Sequence, residues 1–152
     1  MTARYGSYLD LLATLRERGH DAGTELFRRI AFNIAISNTD DPLRNHATFW
    51  DGTRLTLTPA YDLSPMSRTG ETASQAIAYG PDGQRASSFA GLLAVGHEYG
   101  LTQRRAREIV DGVINAIYTH WSEASDHAQL TSVQRDALWG TQFLNPGALH
   151  GP

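Results

Sequence analysis

The 152-residue sequence predicts a mostly helical α+β domain, and three observations carry that prediction. Apolar residues recur at helical spacing through several segments, as in helices that bury one face. One Asp51-Gly52 pair stands between two short strand-like runs, the signature of a β-hairpin. Helical segments flank that hairpin without strand–helix alternation, a pattern of α+β rather than parallel α/β architecture.

Ser7 to Arg18 predicts the first helix, with Tyr8, Leu11, Leu12 and Leu15 on one face. Ser7 and Asp10 have capping-box spacing, and Gly19 is the stop. The second helix is expected from about Ala22 to Ile36, with Asp21 as N-cap and Leu26, Phe27, Ile30, Ala31 and Ile34 as its apolar face. A polar loop, about Ser37 to His46, precedes the hairpin strands Ala47 to Trp50 and Arg54 to Thr58. The segment TPAYDLSP, Thr58 to Pro65, leaves through two prolines, and Pro65 disfavours helix at Ser64. Met66 to Thr72 reads as loop, and Gln75 to Tyr79 as a short strand before the Gly80-Pro81-Asp82-Gly83 turn.

The remainder is expected to be helical. Ser87 to Val95 reads as a short helix, and Thr102 to about Trp121 as a long one striped by Ala106, Ile109, Val110, Val113, Ile114 and Ile117. Thr131 and Gln134 open a last helix that ends before Pro146. Trp50, Trp121 and Trp139, with Phe32 and Phe49, are expected in the core. No repeat or long linker divides the chain, so residues 1–152 form one domain with its core over about 5–145.

A hydrophobic content of 41% suffices for a core at this length. Charged residues make up only 19% and net charge is −3, which argues against direct binding to nucleic acid or an anionic membrane. All 13 basic residues are arginines; with abundant Ala and Gly this suggests a GC-rich bacterial genome. The absence of cysteine excludes disulfides and thiolate metal sites. With no apolar run near about 18 residues and no charged-then-apolar leader, a cytoplasmic location is expected. The six histidines, His20, His46, His97, His120, His127 and His150, lack metal-ligand spacing. Arg104, Arg105 and Arg107 read as a solvated helix face, with a patch for DNA or an antitoxin as the sharper alternative.

Chemistry concentrates in ISNTDDPLRNHATFW, Ile36 to Trp50. Asp40 and Asn45 lie in the loop after an apolar helix, and Asp62 follows beyond the hairpin. Phosphoryl transfer to a hydroxyl needs such a set: one carboxylate to orient the acceptor, and an amide and a second carboxylate to hold Mg²⁺ against ATP phosphates. Kinase catalytic loops share the Asp-x-x-x-x-Asn spacing. The competing reading makes Asp40 and Asp41 turn residues and Asp62 a strand breaker.

FNIAISNTDDPLRNHATFW followed by LTLTPAYDLSP resembles the C-terminal catalytic segment of HipA-like serine/threonine kinases, toxins of bacterial toxin–antitoxin pairs. The family loop reads approximately N-x-D-x-H-x-[KR]-N, then a hairpin, then P-x-Y-D. The resemblance runs from about Tyr5 to Tyr118 in element order and is specific over Phe32 to Pro65. It implies a kinase-like C-terminal lobe in which Asp40 is the catalytic aspartate, while Asn45 and Asp62 bind metal and nucleotide. Arg44 falls at the basic position, where it could stabilise phosphoryl charge. His46 could touch substrate or close the loop, while Asn38 and Asp41 shape the turn. Mg²⁺ and ATP are the implied cofactors.

Two departures stand out. Pro42 replaces the usual His, which removes a side chain and a backbone N–H and restricts Asp41. The sequence also contains neither a G-x-G-x-x-G loop nor a lysine to anchor ATP, so no N-terminal lobe is expected in it. It therefore reads as a truncated or split kinase, inactive alone, whose partner is a separate N-lobe chain, a helix-turn-helix antitoxin or a homodimer mate. The alternative is a non-catalytic module that binds an antitoxin or its DNA complex, with nucleic acid engaged only indirectly.

Overall fold

The computed structural model describes residues 6–151. Tyr5, where the resemblance begins, lies outside them. The described elements are α1 (Tyr8–Glu17), α2 (Gly23–Ala35), a 3₁₀ turn (Leu43–Asn45), β1 (Thr48–Trp50), β2 (Leu55–Leu57), α3 (Phe89–Ala94), a second 3₁₀ turn (Gly96–Tyr99), α4 (Gln103–His127), α5 (Ser132–Leu138) and α6 (Pro146–His150). The chain is thus mostly helical with one small antiparallel sheet, as expected.

α2 is the central helix. Leu26, Phe27, Ile30, Ala31, Ile34 and Ala35 are fully buried, packed among side chains of α1, α3 and α4. Burying each large apolar side chain contributes about 1.5–3 kcal/mol. Truncating one, such as Ile30→Ala, would cost about 2–5 kcal/mol through lost transfer energy and a cavity. At the start of α2, a Cβ on Gly23 would lie 2.2 Å from the Tyr99 carbonyl oxygen, so only glycine permits that approach.

Local chemistry explains most element ends. At α1 the Ser7 hydroxyl accepts the Asp10 N–H at 3.1 Å, and the Asp10 carboxylate accepts the Ser7 N–H at 2.8 Å. At α5 the Thr131–Gln134 capping box forms in the same way. Asp21 is not the N-cap of α2; Ala22 is. Asp21 instead accepts the Gly23 N–H at 3.3 Å and pairs with Arg16 at 3.1 Å. The hairpin pairs Thr48 with Leu57 and Trp50 with Leu55, and its turn is held by Asp51 Oδ1, which accepts the N–H groups of Thr53 and Arg54.

Four further expectations fail on physical grounds. Residues 75–79 form no strand; only a Ser74–Ala86 bridge and isolated bonds such as Tyr79 N–H to Gln84 O (2.9 Å) join the two sides. α4 runs six residues past Trp121 and stops at the Ala128 C-cap, beyond which Gln129 takes a left-handed φ of +54°. The helix opened by Thr131 ends at Leu138, before Pro146 as expected, but it is not the last: Pro146 opens α6, since a proline at N1 sacrifices no helical N–H. Phe49 and Trp50 are 63% and 54% exposed rather than core. Phe32, Trp121 and Trp139 are partly buried; Trp121 stacks against Trp139 and Phe143.

The C-terminal segment returns to the middle of the chain. Leu144 N–H donates to the Ala35 carbonyl at 2.8 Å, and Asn145 Nδ2 donates to the Gly70 carbonyl at 3.3 Å. A Cβ on Gly147 would fall 2.0 Å from the Glu71 carbonyl oxygen, so α6 sits directly on that backbone.

Candidate active site

The loop after α2 is shaped by how the helix ends. Ser37 adopts a left-handed φ of +55°. Asn38 N–H then donates to the Asn33 carbonyl at 2.8 Å, and Ser37 N–H to the Ile34 carbonyl at 3.3 Å. These two bonds are those of a Schellman motif, with serine where glycine is usual. Asn38 Nδ2 adds a bond to Asn33 Oδ1 at 3.0 Å. The chain is thereby reversed and residues 38–41 are held against the end of α2.

Asp41 anchors this loop from inside. It is 3% exposed, and its Oδ2 accepts from the Tyr8 hydroxyl and from Asn33 Nδ2 at 2.7 Å. His46 Nε2 lies 3.1 Å from the same oxygen, although neither imidazole nitrogen makes a well-aligned hydrogen bond among the described residues. Burial raises the Asp41 carboxyl, but His46, Tyr8 and Asn33 outweigh it and leave the group below the ordinary carboxylate range. Burial, then the Asp41 charge, pushes the Tyr8 phenol well above its usual range.

Asp40, the next residue back, is exposed, and its side chain has no hydrogen-bond partner among the described residues. Pro42 suits the loop: its φ of −75° is the angle its ring prefers, and its carbonyl accepts the Asn45 N–H at 2.9 Å to close the 3₁₀ turn. That turn places Asn45 inward and Arg44 outward.

Asp62 reaches the loop because the segment after β2 crosses back over it. Tyr61 hydroxyl donates to the Arg44 carbonyl at 2.8 Å, and Met66 N–H to the Ser37 carbonyl at 3.2 Å. Between those ties Asp62 takes a left-handed φ of +56°, tolerable for aspartate but costly for most residues. Asn45 Nδ2 then donates to Asp62 Oδ2 at 2.9 Å. Asn45 and Asp62 are therefore brought together, while Asp40 and Arg44 stand exposed on the same loop.

Two residues of this network were not expected in it from the sequence: Tyr8, which reads only as part of an apolar helix face, and Asn33. An asparagine amid FNIAI was a visible signal, since a polar side chain within an apolar helix needs a partner. Tyr8 offered none, because its partner lies 33 residues away.

The donor set suits a hard cation: one carboxylate and one amide oxygen, few enough for Mg²⁺ to keep water or phosphate ligands. Among the described residues no group of three His, Cys, Asp or Glu side chains converges as a metal cluster. No helix among them is long and apolar enough to cross a membrane.

Searches of curated proteins and of solved structures find no match. A family model, the HipA-like C-terminal domain, matches residues 1–121, which include every element from α1 to the middle of α4 and the whole loop–hairpin–Asp62 region. The chain belongs to the HipA-like C-terminal domain family.

Proposed function

We propose that this domain is the acceptor-orienting and metal-holding half of a serine/threonine kinase site. The observation that carries the reading is the Asn45–Asp62 contact at 2.9 Å, made across a hairpin and held in place by the Tyr61 and Met66 ties. In this reading Asn45 Oδ1 and the Asp62 carboxylate hold Mg²⁺ with ATP, which neutralises charge on the transferring phosphoryl group. Asp40 accepts a hydrogen bond from a Ser or Thr hydroxyl, orients it for in-line attack and takes its proton. Arg44 supplies positive charge beside the transferring group. A nucleotide-covering lobe, in the same polypeptide or a second one, has to supply the remaining contacts to ATP, because positioning dominates this chemistry.

Titrating the protein with Mn²⁺ and ATP tests the metal half of this reading. Paramagnetic broadening of backbone amide signals should centre on Asn45 and Asp62 and vanish in Asp62→Ala. Broadening centred elsewhere, or unchanged by that substitution, overturns the assignment. Phosphotransfer to a seryl substrate in the presence of the nucleotide-covering lobe, lost in Asp40→Ala, tests the acceptor half.

The exposure of Phe49 and Trp50 on β1 favours a second reading, that of a partner-binding module. A helix-turn-helix antitoxin, a homodimer mate or the nucleotide-covering lobe would cover such aromatics. Binding that survives Asp40→Ala with Asp62→Ala but fails in Phe49→Ser with Trp50→Ser supports this reading over the catalytic one.

A further inference from the structure

Away from Asp40, a groove of about 520 Å³ runs between α2, α4 and the segment just before and after Asp62. Phe32, Ile109, Val113 and Ala116 line its helical walls, and Ala60 and Leu63 close it from the third side. Gly112 opens it: a glycine inside a 25-residue helix costs about 1 kcal/mol relative to alanine, yet a Cβ there would meet nothing within 4 Å. The volume and apolar lining are those of a small-molecule site.

Two features give the occupant a charge. Arg29, which lines the groove, is 6% exposed; its Nε donates to Glu25 at 2.9 Å and its Nη2 to the Thr58 carbonyl at 2.5 Å. Its Nη1 is buried with no hydrogen-bond partner among the described residues. A buried donor left unpaired costs about 1–3 kcal/mol, which an acceptor reaching it through a small shift of the Arg29 side chain into the groove would recover. The rim is also short of negative charge. Glu25 is shared between Arg28 and Arg29, both at 2.9 Å, and Glu108 between Arg104 and Arg105, at 3.5 and 3.1 Å. Each carboxylate therefore serves two guanidinium groups, and the charged residues along the groove leave it net positive.

From this geometry we propose that the groove binds a small free monocarboxylate with an apolar tail, its carboxylate on Arg29 and its tail along Phe32, Ile109 and Val113. A peptide added as a strand is disfavoured, because two walls are helix faces that offer no strand edge to pair with. The proposal stands apart from the kinase reading, since no residue of the Asp40, Asn45 and Asp62 set lines the groove.

Octanoate is the probe, with octylammonium as the same tail carrying the opposite charge. Calorimetric titration should show saturable one-to-one binding of octanoate and at least about tenfold weaker binding of octylammonium. Gly112→Phe fills the groove from an open position and should abolish binding without lowering the melting temperature. Arg29→Met should weaken octanoate about tenfold and leave octylammonium no weaker, so that the preference for the carboxylate shrinks or disappears. Absence of saturable octanoate binding overturns the proposal, as does binding indifferent to Gly112→Phe. A groove closed by a second copy, seen as a dimer in sedimentation that octanoate does not dissociate, overturns it equally.

Discussion

Asp40 and Asp41 are neighbours in sequence and opposites in surroundings. Asp41 is buried with three side chains converging on one of its oxygens, whereas Asp40 faces solvent with none among the described residues. The same contrast separates Asn45, turned inward onto Asp62, from Arg44, turned outward. Alternation along one short loop thus separates side chains tied into the fold from side chains that face solvent. The inward residues fix the backbone, and through it the positions from which the outward ones start.

The largest way to break this contrast is Asp41→Ala. It strands the Tyr8 hydroxyl, the Asn33 amide and the His46 ring in the interior, and should cost about 3–5 kcal/mol in urea denaturation. If the loss were no larger than that of a surface change, the buried network would not be the anchor described.

Acid should weaken the same fastening reversibly. Because the folded Asp41 carboxyl lies below its ordinary value of 3.8, its contribution is present above that pH and is lost as pH falls through the folded value. The opposite sign holds for the buried phenols. Tyr79 is pushed up to about 12, and Tyr8 and Tyr99 are raised as well, so their contribution is present below pH 10 and is lost as pH rises beyond it. Melting temperatures across pH should fall at both extremes, and Asp41→Asn should flatten the acid limb and, by removing the charge that helps raise Tyr8, shift part of the alkaline limb.

Ser37→Gly sharpens the comparison from the other direction. It relieves a left-handed residue and removes a hydroxyl buried without a partner, and should stabilise by about 1 kcal/mol. A destabilising result would mean that the serine side chain supports the helix end in a way its contacts do not reveal. Smallest of all, Asp40→Asn should change stability by less than about 0.5 kcal/mol, as an exposed residue does. A larger loss would place Asp40 among the fasteners.

Elements with strong local chemistry were legible in the sequence. Capping boxes at Ser7 and Thr131 and the apolar faces of α2 and α4 depend on residues a few positions apart. What depended on distant partners was not. Residues 75–79 have a strand-like composition but join residues 84–87 through too few bonds for a ladder, and Phe49 and Trp50 read as core because hydrophobicity alone does not say which face is covered. At the site, the spacing of Asp40, Asn45 and Asp62 was visible, together with the resemblance it carries. The burial of Asp41 was not, because it rests on Tyr8 from α1 and Asn33 from α2.

The return of the C-terminal segment bears on where this domain can be cut. The family match ends at Trp121, yet the carbonyl of Ala35, at the foot of the central helix, is satisfied by Leu144. The backbone at Gly70 and Glu71, a few residues beyond Asp62, rests against Asn145 and Gly147. A fragment trimmed at the family boundary would keep every residue of the loop and lose the floor beneath it. The contacts that support the loop therefore extend through α6, and any fusion or tag is better attached beyond Gly151.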